Sequence, residues 1–464
     1  MYRLVRPNPT VFRAYDIRGI IDESFDEHAF YSIGRAVGTH LGQLHQKAIF
    51  LGRDARLSSF QLAKALEQGI LDSGIDVFNL GAVSTPMMYF AAYTQAIHSG
   101  LMVTGSHNPA NYNGIKLVIN GQTLVQDGIS RIFNIIKSQH FSMGIGTSKA
   151  FFIDEAYIKR IVSDITLTRP FKVVVDAGNG IAGPVLIKTL TQLGCEVIPL
   201  FCEVDGRFPN HHPDPTVEAN LVDLKHAVLT HRADIGLAFD GDADRLGVVT
   251  NHGEVIWADR LMMFYARHLL SKQAGATIAY DVKCSANLKQ VIEAAGGRAV
   301  MCPTGHSIVK KKMQEVKAVF AGEMSGHLFF KDRWYGFDDA LYSAARLLEM
   351  LSSSMLDVHE QFSTIPNSIH TPEIHIPVQE RRKFQIMQDF CTYAEFKGAH
   401  LVRIDGLRAE FANGWGLLRA SNTTPCLVAR FEAHDTTILQ HIKQAFATQL
   451  QRVAPELNLA AILA

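Results

Sequence analysis

Lys172-Val-Val-Val-Asp176 is a short run of β-branched residues that ends on a carboxylate. A helical pattern follows over residues 183–193, then Gly194, and then a second apolar run at Glu196-Val-Ile198. A strand, a helix and a strand in this order predict a βαβ unit, because two parallel strands need a long crossover connection. The segment therefore predicts a largely parallel sheet that is covered by helices.

The same pattern occurs twice more in the chain of 464 residues. One copy begins with Ala48-Ile-Phe-Leu-Gly-Arg-Asp54 and continues with a helical pattern over residues 60–71. The other begins with Thr277-Ile-Ala-Tyr-Asp281 and continues with a helical pattern over residues 288–294. Three copies of one unit predict three related α/β domains with mixed, mostly parallel sheets.

The C-terminal part of the chain has a different pattern. Short apolar runs such as Ile374-His-Ile-Pro-Val378 and Leu427-Val-Ala-Arg-Phe431 alternate with helical patterns over residues 382–395 and 436–451. This pattern predicts a smaller α+β domain with an antiparallel sheet. We expect four domains, with the following bounds: 1–150, 151–254, 255–366 and 367–464.

The composition argues against a nucleic-acid or membrane partner. Lysine plus arginine and aspartate plus glutamate number 45 each, so an anionic ligand has to be bound by local clusters of charge. The six cysteines form no Cys-x-x-Cys pair, which indicates reduced thiols in a reducing compartment. No apolar run reaches the length of about 18 residues typical of a membrane span, and the first residues do not resemble a signal peptide. We expect a soluble cytoplasmic protein.

Each predicted α/β domain contains a second apolar run that leads into a polar loop. The three segments are Leu101-Met-Val-Thr-Gly-Ser-His-Asn-Pro109, Leu237-Ala-Phe-Asp-Gly-Asp-Ala-Asp-Arg245 and Val319-Phe-Ala-Gly-Glu-Met-Ser-Gly-His327. Ligands of α/β sheets bind outside the carboxyl ends of the strands, which is where these loops are expected. The sequence therefore predicts one chemically active loop in each of three domains.

The loop Asp240-Gly-Asp-Ala-Asp-Arg245 has carboxylates at alternate positions after an apolar strand. Hard oxygen ligands at this density are typical of Mg²⁺, and Arg245 could bind a phosphate in bidentate fashion. A solvated acidic turn is disfavoured because carboxylates beside an apolar strand are costly. An EF-hand would need a glycine at the sixth position and a closing glutamate, and a haloacid-dehalogenase-type phosphatase would carry Asp-x-Asp after its first strand. We expect a metal site with three ligands: Asp240, Asp242 and Asp244.

Ser106 lies in Thr104-Gly-Ser-His-Asn-Pro109, where the preceding glycine relieves crowding and the proline discourages a helix. Taken alone, such a serine is more often a turn residue than a nucleophile, because its hydroxyl needs a base, a metal or prior phosphorylation. A hydrolase elbow is excluded because Asn108 occupies the position of its second glycine. Lys116 follows on the next apolar run and could act as a cation or a general base.

Two further segments suggest sugar and phosphate binding. Gly322-Glu-Met-Ser-Gly-His327 combines a carboxylate, a hydroxyl and an imidazole, a set that can bind sugar hydroxyls with His327 as a candidate for proton transfer. Arg419-Ala-Ser-Asn-Thr-Thr-Pro425 combines a guanidinium with hydroxyls and an amide, which predicts an anion-binding loop; a polar hairpin turn is the alternative. His306 is a weaker candidate, because the chain contains 20 histidines.

Taken together, these motifs resemble the α-D-phosphohexomutase family, specifically its bacterial phosphomannomutase/phosphoglucomutase branch. The segments that carry the resemblance occur in the family's order and span almost the whole chain: Tyr15-Asp-Ile-Arg18-Gly19, Thr104–Pro109, Asp240–Arg245, Gly322–His327 and Arg419–Pro425. The resemblance implies four domains around a central cleft, with the fourth domain as a mobile cap. Ala243, between two of the aspartates, stands where relatives often have glycine.

The resemblance also implies roles for individual residues. Ser106 would carry the phosphoryl group, and its phosphate would complete a Mg²⁺ site with the three aspartates. Charge stabilisation and proton transfer are implied for Arg18, Lys116, Arg245 and His327, with Lys116 and His327 as the candidate general acid and base. Substrate contacts are implied for Tyr15, His107, Lys283, His306, Glu323, Ser325, Arg419, Ser421, Asn422 and Thr423.

We therefore expect reversible phosphoryl transfer between the 6- and 1-positions of mannose and glucose phosphates. Hexose 1,6-bisphosphate would be the intermediate and activator, and positioning with charge neutralisation would provide most of the catalysis. Three alternatives remain: a phosphoglucosamine mutase, which typically has Ser-Gly-Thr-Glu-Pro in the last loop, a non-catalytic sugar-phosphate-binding relative, and a metal-dependent phosphatase. We expect a monomer whose partners are small hexose phosphates.

Overall fold

The strand-helix-strand segments of the sequence form βαβ units, and the chain divides into two compact units. The computed structural model describes residues 2–13, 16–22, 25–421 and 424–463. Unit 1 consists of Met1–Ala258 and Val319–Thr364, and unit 2 consists of Asp259–Ala318 and Ile365–Ala464.

The strands are β1 (Ile17–Ile20), β2 (Ala48–Arg53), β3 (Asp76–Ala82), β4 (Gly100–Val103), β5 (Tyr112–Ile119), β6 (Gln122–Thr123), β7 (Ser148–Ala150), β8 (Lys172–Asp176), β9 (Glu196–Leu200), β10 (Ile235–Phe239), β11 (Leu246–Thr250), β12 (Val255–Ile256), β13 (Thr277–Asp281), β14 (Arg298–Cys302), β15 (Phe320–Gly322), β16 (Leu328–Phe330), β17 (Ile369–His370), β18 (Ile374–Pro377), β19 (His400–Val402), β20 (Leu407–Phe411), β21 (Gly414–Ala420) and β22 (Cys426–Ala433). The α-helices are α1 (Glu27–Gln43), α2 (Ser59–Leu71), α3 (Thr85–Thr94), α4 (Asp127–Ser138), α5 (Asp154–Asp164), α6 (Gly183–Gln192), α7 (Val222–His231), α8 (Ala258–Lys272), α9 (Ala286–Ala294), α10 (His306–Glu315), α11 (Ala340–Ser352), α12 (Val358–Ser363), α13 (Glu380–Tyr393), α14 (Thr436–Val453) and α15 (Ala460–Leu463).

The first sheet of unit 1 has the strand order β1-β5-β4-β2-β3-β7, with β6 beside β5. β2 pairs in parallel with β3 and β4, and α2 is the crossover between β2 and β3. β5 is antiparallel to β4 and β1, so the sheet is mixed. Helices α1 and α2 pack closely because Gly34 and Gly69 have no Cβ atom; one at either position would lie 2.2 Å from a carbonyl oxygen of the other helix.

The second sheet of unit 1 has the strand order β12-β11-β10-β8-β9. β8 pairs in parallel with β9 and β10, and α6 is the crossover between β8 and β9. β10 and β11 form an antiparallel hairpin in which Phe239 lies opposite Leu246. Every residue of these two strands is buried, as expected for strands covered on both faces. The turn of this hairpin contains the three aspartates.

A second hairpin of unit 1 carries the loop with the predicted sugar-binding residues. β15 and β16 pair antiparallel, with Gly322 opposite Leu328. An aromatic cluster anchors the segment after this hairpin: the ring centroid of Trp334 lies 4.1 Å from that of Tyr342 in α11 and 5.9 Å from that of Phe90 in α3. The segment after the hairpin therefore packs against α3 and α11 of unit 1.

Unit 2 contains the third βαβ unit and the C-terminal domain. β13 and β14 are parallel, with α9 between them. The C-terminal sheet has the order β17-β22-β21-β20-β19, with β18 beside β22, and its pairs are antiparallel as predicted. Helices α13 and α14 contribute Phe390 and Phe446 to its core. Sequence analysis missed β20, because the charged residues Arg408 and Glu410 interrupt its apolar run.

The predicted fold class, α/β domains with mixed sheets followed by an α+β domain, is confirmed. The domain bounds near residues 150, 254 and 366 remain a proposal. Among the described residues, no helix combines the length and the apolar character that crossing a lipid bilayer requires.

The turns that contain Ser106 and Ala243 pass through the left-handed region of backbone conformation, with φ angles of 49° and 60°. The nearby Gly105 and Gly241 do not adopt this conformation and instead leave room for neighbouring atoms. A Cβ atom on Gly241 would lie 2.6 Å from the carbonyl oxygen of Ser106, and one on Gly105 would lie 2.5 Å from the guanidinium carbon of Arg56. The glycines therefore allow close approach, while the backbone strain lies at the serine and the alanine.

Ala243→Gly is expected to raise the free energy of unfolding by about 0.5–1 kcal/mol, because glycine adopts the left-handed conformation without crowding from a Cβ atom. Urea-induced unfolding measures the change. Ala227→Gly, inside helix α7, is the control and should lower stability by about 1 kcal/mol. Lower stability of Ala243→Gly would contradict the assignment of strain to this turn.

Candidate active site

Asp240, Asp242 and Asp244 lie in the turn at the carboxyl end of β10. Each is at most 1% exposed, and one carboxylate oxygen of each lies within 4.8 Å of the others. The backbone N–H groups of Asp244 and Arg245 donate hydrogen bonds of 3.0 and 3.1 Å to Oδ1 of Asp240. This local folding directs three buried carboxylates toward one point.

Burial and mutual repulsion control the charges of these aspartates. Burial, followed by the charges of Asp244 and Asp242, raises the pKa of Asp240 well above its usual value. Burial would also raise the pKa of Asp244, but Lys116 and His327 hold it well below its usual value. Oδ1 of Asp242 receives no hydrogen bond from the described part of the chain. The donor set therefore fits a hard divalent cation, which would relieve the repulsion and bind the unsatisfied oxygen.

Ser106 approaches these carboxylates from the loop after β4. The residue is 1% exposed, and its hydroxyl donates a hydrogen bond of 2.9 Å to Oδ2 of Asp240. Its backbone N–H donates to Oγ1 of Thr104 at 2.8 Å. The structure thus brings the predicted phosphoserine and the predicted metal loop together.

His107 lies between Ser106 and Arg245. Its Nδ1 is 3.2 Å from the hydroxyl oxygen of Ser106, and its Nε2 is 3.3 Å from Nη2 of Arg245. Because a guanidinium can only donate, Nε2 has to be the acceptor, and this network assigns the ring proton to Nδ1. Burial, followed by Arg245 and Arg18, lowers the pKa of His107 well below its usual value, which agrees with a neutral ring. His107 therefore donates to Ser106.

Lys116 lies on β5 and is 3% exposed. Its Nζ lies 2.7 Å from Oδ2 of Asp242 and also contacts Oδ2 of Asp244. The hydroxyl of Thr85 donates to the same oxygen of Asp242 at 2.5 Å. Burial would lower the pKa of Lys116, but Asp242 and Asp244 outweigh it and raise the pKa above its usual value. Lys116 is therefore a cation here and cannot accept a proton.

His327 connects the metal loop with the predicted sugar-binding loop. Its Nε2 lies 3.2 Å from Oδ1 of Asp244. Its Nδ1 lies 3.2 Å from Oε2 of Glu323 and 2.8 Å from the hydroxyl oxygen of Ser325. Burial would lower the pKa of His327, but Asp244 and Glu323 outweigh burial and raise it to about 9. The imidazole is thus held as a cation by carboxylates on two loops.

Two guanidinium groups flank these residues, and each pairs with a carboxylate. Nη1 of Arg18, on β1, donates to Oδ1 of Asn108 at 2.5 Å, and its Nη2 lies 2.6 Å from Oδ2 of Asp16. Nη1 of Arg245 lies 3.7 Å from Oδ1 of Asp214. The loop that carries Ser106 is thus close to fixed positive charge, as phosphoryl transfer requires.

In unit 2, Lys283 and Arg419 are buried and bind carboxylates. Nζ of Lys283 lies 2.5 Å from Oε1 of Glu373, and Nε of Arg419 donates to Oδ2 of Asp405 at 2.9 Å. Burial would raise the pKa of Glu373, but Lys283 and Arg419 lower it to about 2. The two cations therefore both act on the carboxylate of Glu373.

The other predicted substrate contacts of unit 2 have varied positions. The hydroxyl oxygens of Ser421 and Thr424 lie 2.7 Å apart. His306 is buried and begins helix α10. Three predicted contacts lie outside the described residues: Tyr15, Asn422 and Thr423.

Sequence analysis missed several residues of this site. Thr85, which donates to Asp242, begins a helix without a sequence pattern of its own. Asp338 offers a carboxylate oxygen within 4.8 Å of ligand atoms of Asp244 and His327. Asp54, which accepts a hydrogen bond from Thr104 in the Ser106 loop, could have been predicted from the sequence. It follows the apolar run of β2 just as Asp240 follows that of β10.

Comparison with known proteins gives the family of the chain. Descriptions of phosphoglucomutase/phosphomannomutase alpha/beta/alpha domains I, II and III match residues 9–143, 155–253 and 257–368, and that of the C-terminal domain matches residues 373–449. The chain belongs to the phosphoglucomutase/phosphomannomutase family. The predicted phosphohexomutase family is thus confirmed, and with it membership among isomerases that move a phosphoryl group within a hexose phosphate.

Individual relatives in this family cover nearly the whole chain. A phosphomannomutase/phosphoglucomutase of Pseudomonas putida is 50% identical over 97% of this chain and 97% of its own. A phosphoglucomutase of Neisseria gonorrhoeae is 46% identical over 95% of this chain and 96% of its own. The crystal structure of a phosphoglucomutase/phosphomannomutase family protein from Burkholderia thailandensis, 44% identical, matches 99% of both chains with a TM-score of 0.93.

The metal-free protein is expected to lose stability as the pH rises. The pKa of His327 is about 9 in the fold against 6.5 ordinarily, so the folded state binds the extra proton, and the resulting stabilisation is complete below pH 6.5 and lost as the pH rises through 9. A shift of this size corresponds to about 3 kcal/mol of unfolding free energy. Denaturant unfolding in the presence of a chelator, at pH values from 6 to 10, measures the loss.

His327→Gln should remove most of this loss. His40→Gln is the control, because burial lowers the pKa of His40, so titration of this residue raises rather than lowers stability as the pH rises. Equal pH dependence of the wild type and His327→Gln would show that the carboxylates do not hold this imidazolium.

Proposed function

We propose that this protein transfers a phosphoryl group reversibly between the 6- and 1-positions of mannose and glucose phosphates, by way of phosphoserine at Ser106. The observation that carries the proposal is the hydrogen bond of 2.9 Å from the Ser106 hydroxyl to Asp240, at the edge of three buried carboxylates. A phosphate on a serine in this position could bind the same cation as the aspartates. The names of the similar bacterial enzymes support the choice of both sugars.

The cation is proposed to be Mg²⁺, with ligands from Asp240, Asp242 and Asp244 and from the phosphate of Ser106. When bound, Mg²⁺ would neutralise charge on the transferring phosphoryl group. Arg18, Arg245 and Lys116 would add positive charge around the same group, because all three lie close to the Ser106 loop or the aspartates. Hexose 1,6-bisphosphate is proposed as the intermediate, since phosphoserine adds a second phosphate to the sugar before the first returns to Ser106.

His327 is proposed to move the proton of the sugar hydroxyl. In the forward half-reaction the bond between phosphorus and Oγ of Ser106 breaks and a bond from phosphorus to the sugar hydroxyl oxygen forms. The hydroxyl proton passes to Nε2 of His327, which has to have lost its extra proton before this step. Oγ of Ser106 takes up a proton as it leaves, and the cationic Lys116 is the candidate donor. Glu323 and Ser325, which lie within 3.2 Å of Nδ1 of this histidine, would orient the ring and bind sugar hydroxyls. His107, already a donor to Ser106, would stabilise the leaving serine oxygen.

The phosphate that stays on the sugar is proposed to bind the residues of unit 2. Arg419 and Lys283 supply buried positive charge, and Ser421 supplies a hydroxyl. The resemblance adds His306, Tyr15, Asn422 and Thr423 to these substrate contacts. We further propose a cytoplasmic location, since the six cysteines, all of which lie within the described residues, form no disulfide. The monomeric state remains a prediction.

A coupled assay tests the reaction. Mannose 1-phosphate and glucose 1-phosphate are supplied with a trace of hexose 1,6-bisphosphate, and the 6-phosphates are measured with dehydrogenase coupling. Isomer formation is expected with both sugars. Free phosphate in place of isomer would identify a phosphatase, and neither product would identify a non-catalytic binding protein.

Ser106→Ala is expected to lower kcat by at least about a thousandfold, because no acceptor for the phosphoryl group remains. Ser130→Ala, an exposed serine on α4, is the matched control and should retain the wild-type rate. Near-normal mutase activity of Ser106→Ala would refute the phosphoserine mechanism. Turnover of glucosamine 6-phosphate equal to that of mannose 6-phosphate would instead contradict the choice of substrate.

Asp242→Asn is expected to weaken Mg²⁺ binding by about tenfold or more, because the amide replaces a charged ligand whose Oδ1 accepts no hydrogen bond from the described residues. Isothermal titration calorimetry measures this directly, apart from activity. The exposed Asp223→Asn on α7 is the control for loss of one negative charge. Unchanged Mg²⁺ affinity in Asp242→Asn would exclude this residue as a ligand.

A further inference from the structure

Arg56, in the turn between β2 and α2, binds the backbone of the loop that carries Ser106. The residue is 2% exposed. Its Nη2 donates to the carbonyl oxygens of Ser106 at 2.7 Å and Asn108 at 2.5 Å. Its Nη1 donates to those of Pro109 at 2.5 Å and Tyr112 at 3.1 Å. One planar guanidinium thus binds four carbonyl groups of a single loop.

Asp54 holds the same loop from its N-terminal side. Its Oδ2 accepts hydrogen bonds from the hydroxyl of Thr104 at 2.8 Å and the N–H of Gly105 at 3.2 Å, and lies 3.3 Å from Nε of Arg56. The hydroxyl oxygen of Thr104 in turn accepts the N–H of Ser106 at 2.8 Å. Both peptide groups of Ser106 are therefore fixed, one through Asp54 and the other directly by Arg56.

This arrangement compensates for an unfavourable backbone. A left-handed φ of 49° at a residue with a side chain costs about 1–2 kcal/mol, so a free loop would leave this conformation. The guanidinium of Arg56 occupies the space that a side chain at position 105 would need. The ring of Phe208 covers it, with its centroid 5.1 Å from Cζ. The conformation that presents the Ser106 hydroxyl to Asp240 is thus imposed by groups outside the loop.

We propose that Arg56, supported by Asp54, is a positioning residue for phosphoryl transfer that keeps Ser106 and its phosphate in line with the metal-binding aspartates. The inference rests on the proposed function and names a residue that acts through the backbone of the Ser106 loop. The planar guanidinium with its several N–H donors is required for this role, because a lysine at this position keeps the charge but cannot reach four carbonyl oxygens at once. Without the guanidinium, the phosphoserine would move away from the aspartates, and its phosphate would be hydrolysed by water more often.

The experiment uses the full chain with Arg56→Lys and Arg56→Gln. Relative to the wild type, Arg56→Lys is expected to lower kcat with glucose 1-phosphate about tenfold or more, with a change in KM below about twofold, because ground-state binding is unaffected. The phosphoenzyme, prepared with glucose 1,6-bisphosphate and desalted, is followed by intact mass. Its half-life is expected to fall about fivefold or more in both variants.

Arg35→Lys is the matched control, since Arg35 is also buried in unit 1 and donates to the carbonyl oxygen of Ser142 at 2.8 Å, outside the site. It should lower the melting temperature but leave kcat and the phosphoserine half-life unchanged. If the Arg56 variants do not fold, the nearly isosteric Asp54→Asn should show the same fall in kcat and half-life. Absence of isomer with the wild type would defeat the proposed function. An active wild type with wild-type kcat and half-life in Arg56→Lys or Asp54→Asn would overturn the positioning role alone.

Discussion

Repulsion among Asp240, Asp242 and Asp244 is the interaction on which the arrangement of the site in unit 1 depends. Two like charges about 4 Å apart repel by about 4 kcal/mol at an effective dielectric constant of 20, so three buried carboxylates cannot all remain ionised without compensation. In the metal-free protein the repulsion is reduced in two ways. The pKa of Asp240 rises, which favours its neutral form, and the pKa of Asp244 falls because the cations Lys116 and His327 contact it. A divalent cation would replace this compensation with coordination.

The βαβ architecture explains how residues so distant in sequence come to share one point. The loops of Ser106 and Asp240 each follow a strand that runs parallel to its neighbour, β4 beside β2 and β10 beside β8, so each loop emerges at the carboxyl edge of its own sheet. The final approach depends on missing side chains, because a Cβ atom at Gly241 would collide with the carbonyl oxygen of Ser106. Phosphoryl transfer from serine requires this short distance, since positioning provides most of its catalysis.

The sequence was sufficient for the parts of this molecule that carry a chemical signature. Repeated strand-helix-strand patterns predicted the α/β sheets, and the spacing of the carboxylates after β10 predicted that they cluster. It was not sufficient for Arg56, because its hydrogen bonds go to carbonyl groups, which every residue has and no pattern marks. The left-handed turn at Ser106 was hidden for a similar reason, since the neighbouring glycine is the residue expected to adopt it. Strand β20 was missed because Arg408 is buried through pairing with the half-buried Glu410, which only the fold shows.

The charges of the site also separate the two acid–base candidates that sequence alone left equal. Lys116 and His327 both owe their raised pKa values to the aspartates, and a metal on Asp244 would weaken that influence on both. With that influence weakened, burial lowers both pKa values, and the histidine, whose ordinary value of 6.5 is the lower of the two, loses its proton before the lysine does. His107 is not a candidate for this base, because its unprotonated nitrogen, Nε2, already accepts a hydrogen bond from Arg245. Metal binding would therefore favour loss of the proton from His327, which supports the proposal that this residue accepts the proton of the sugar hydroxyl.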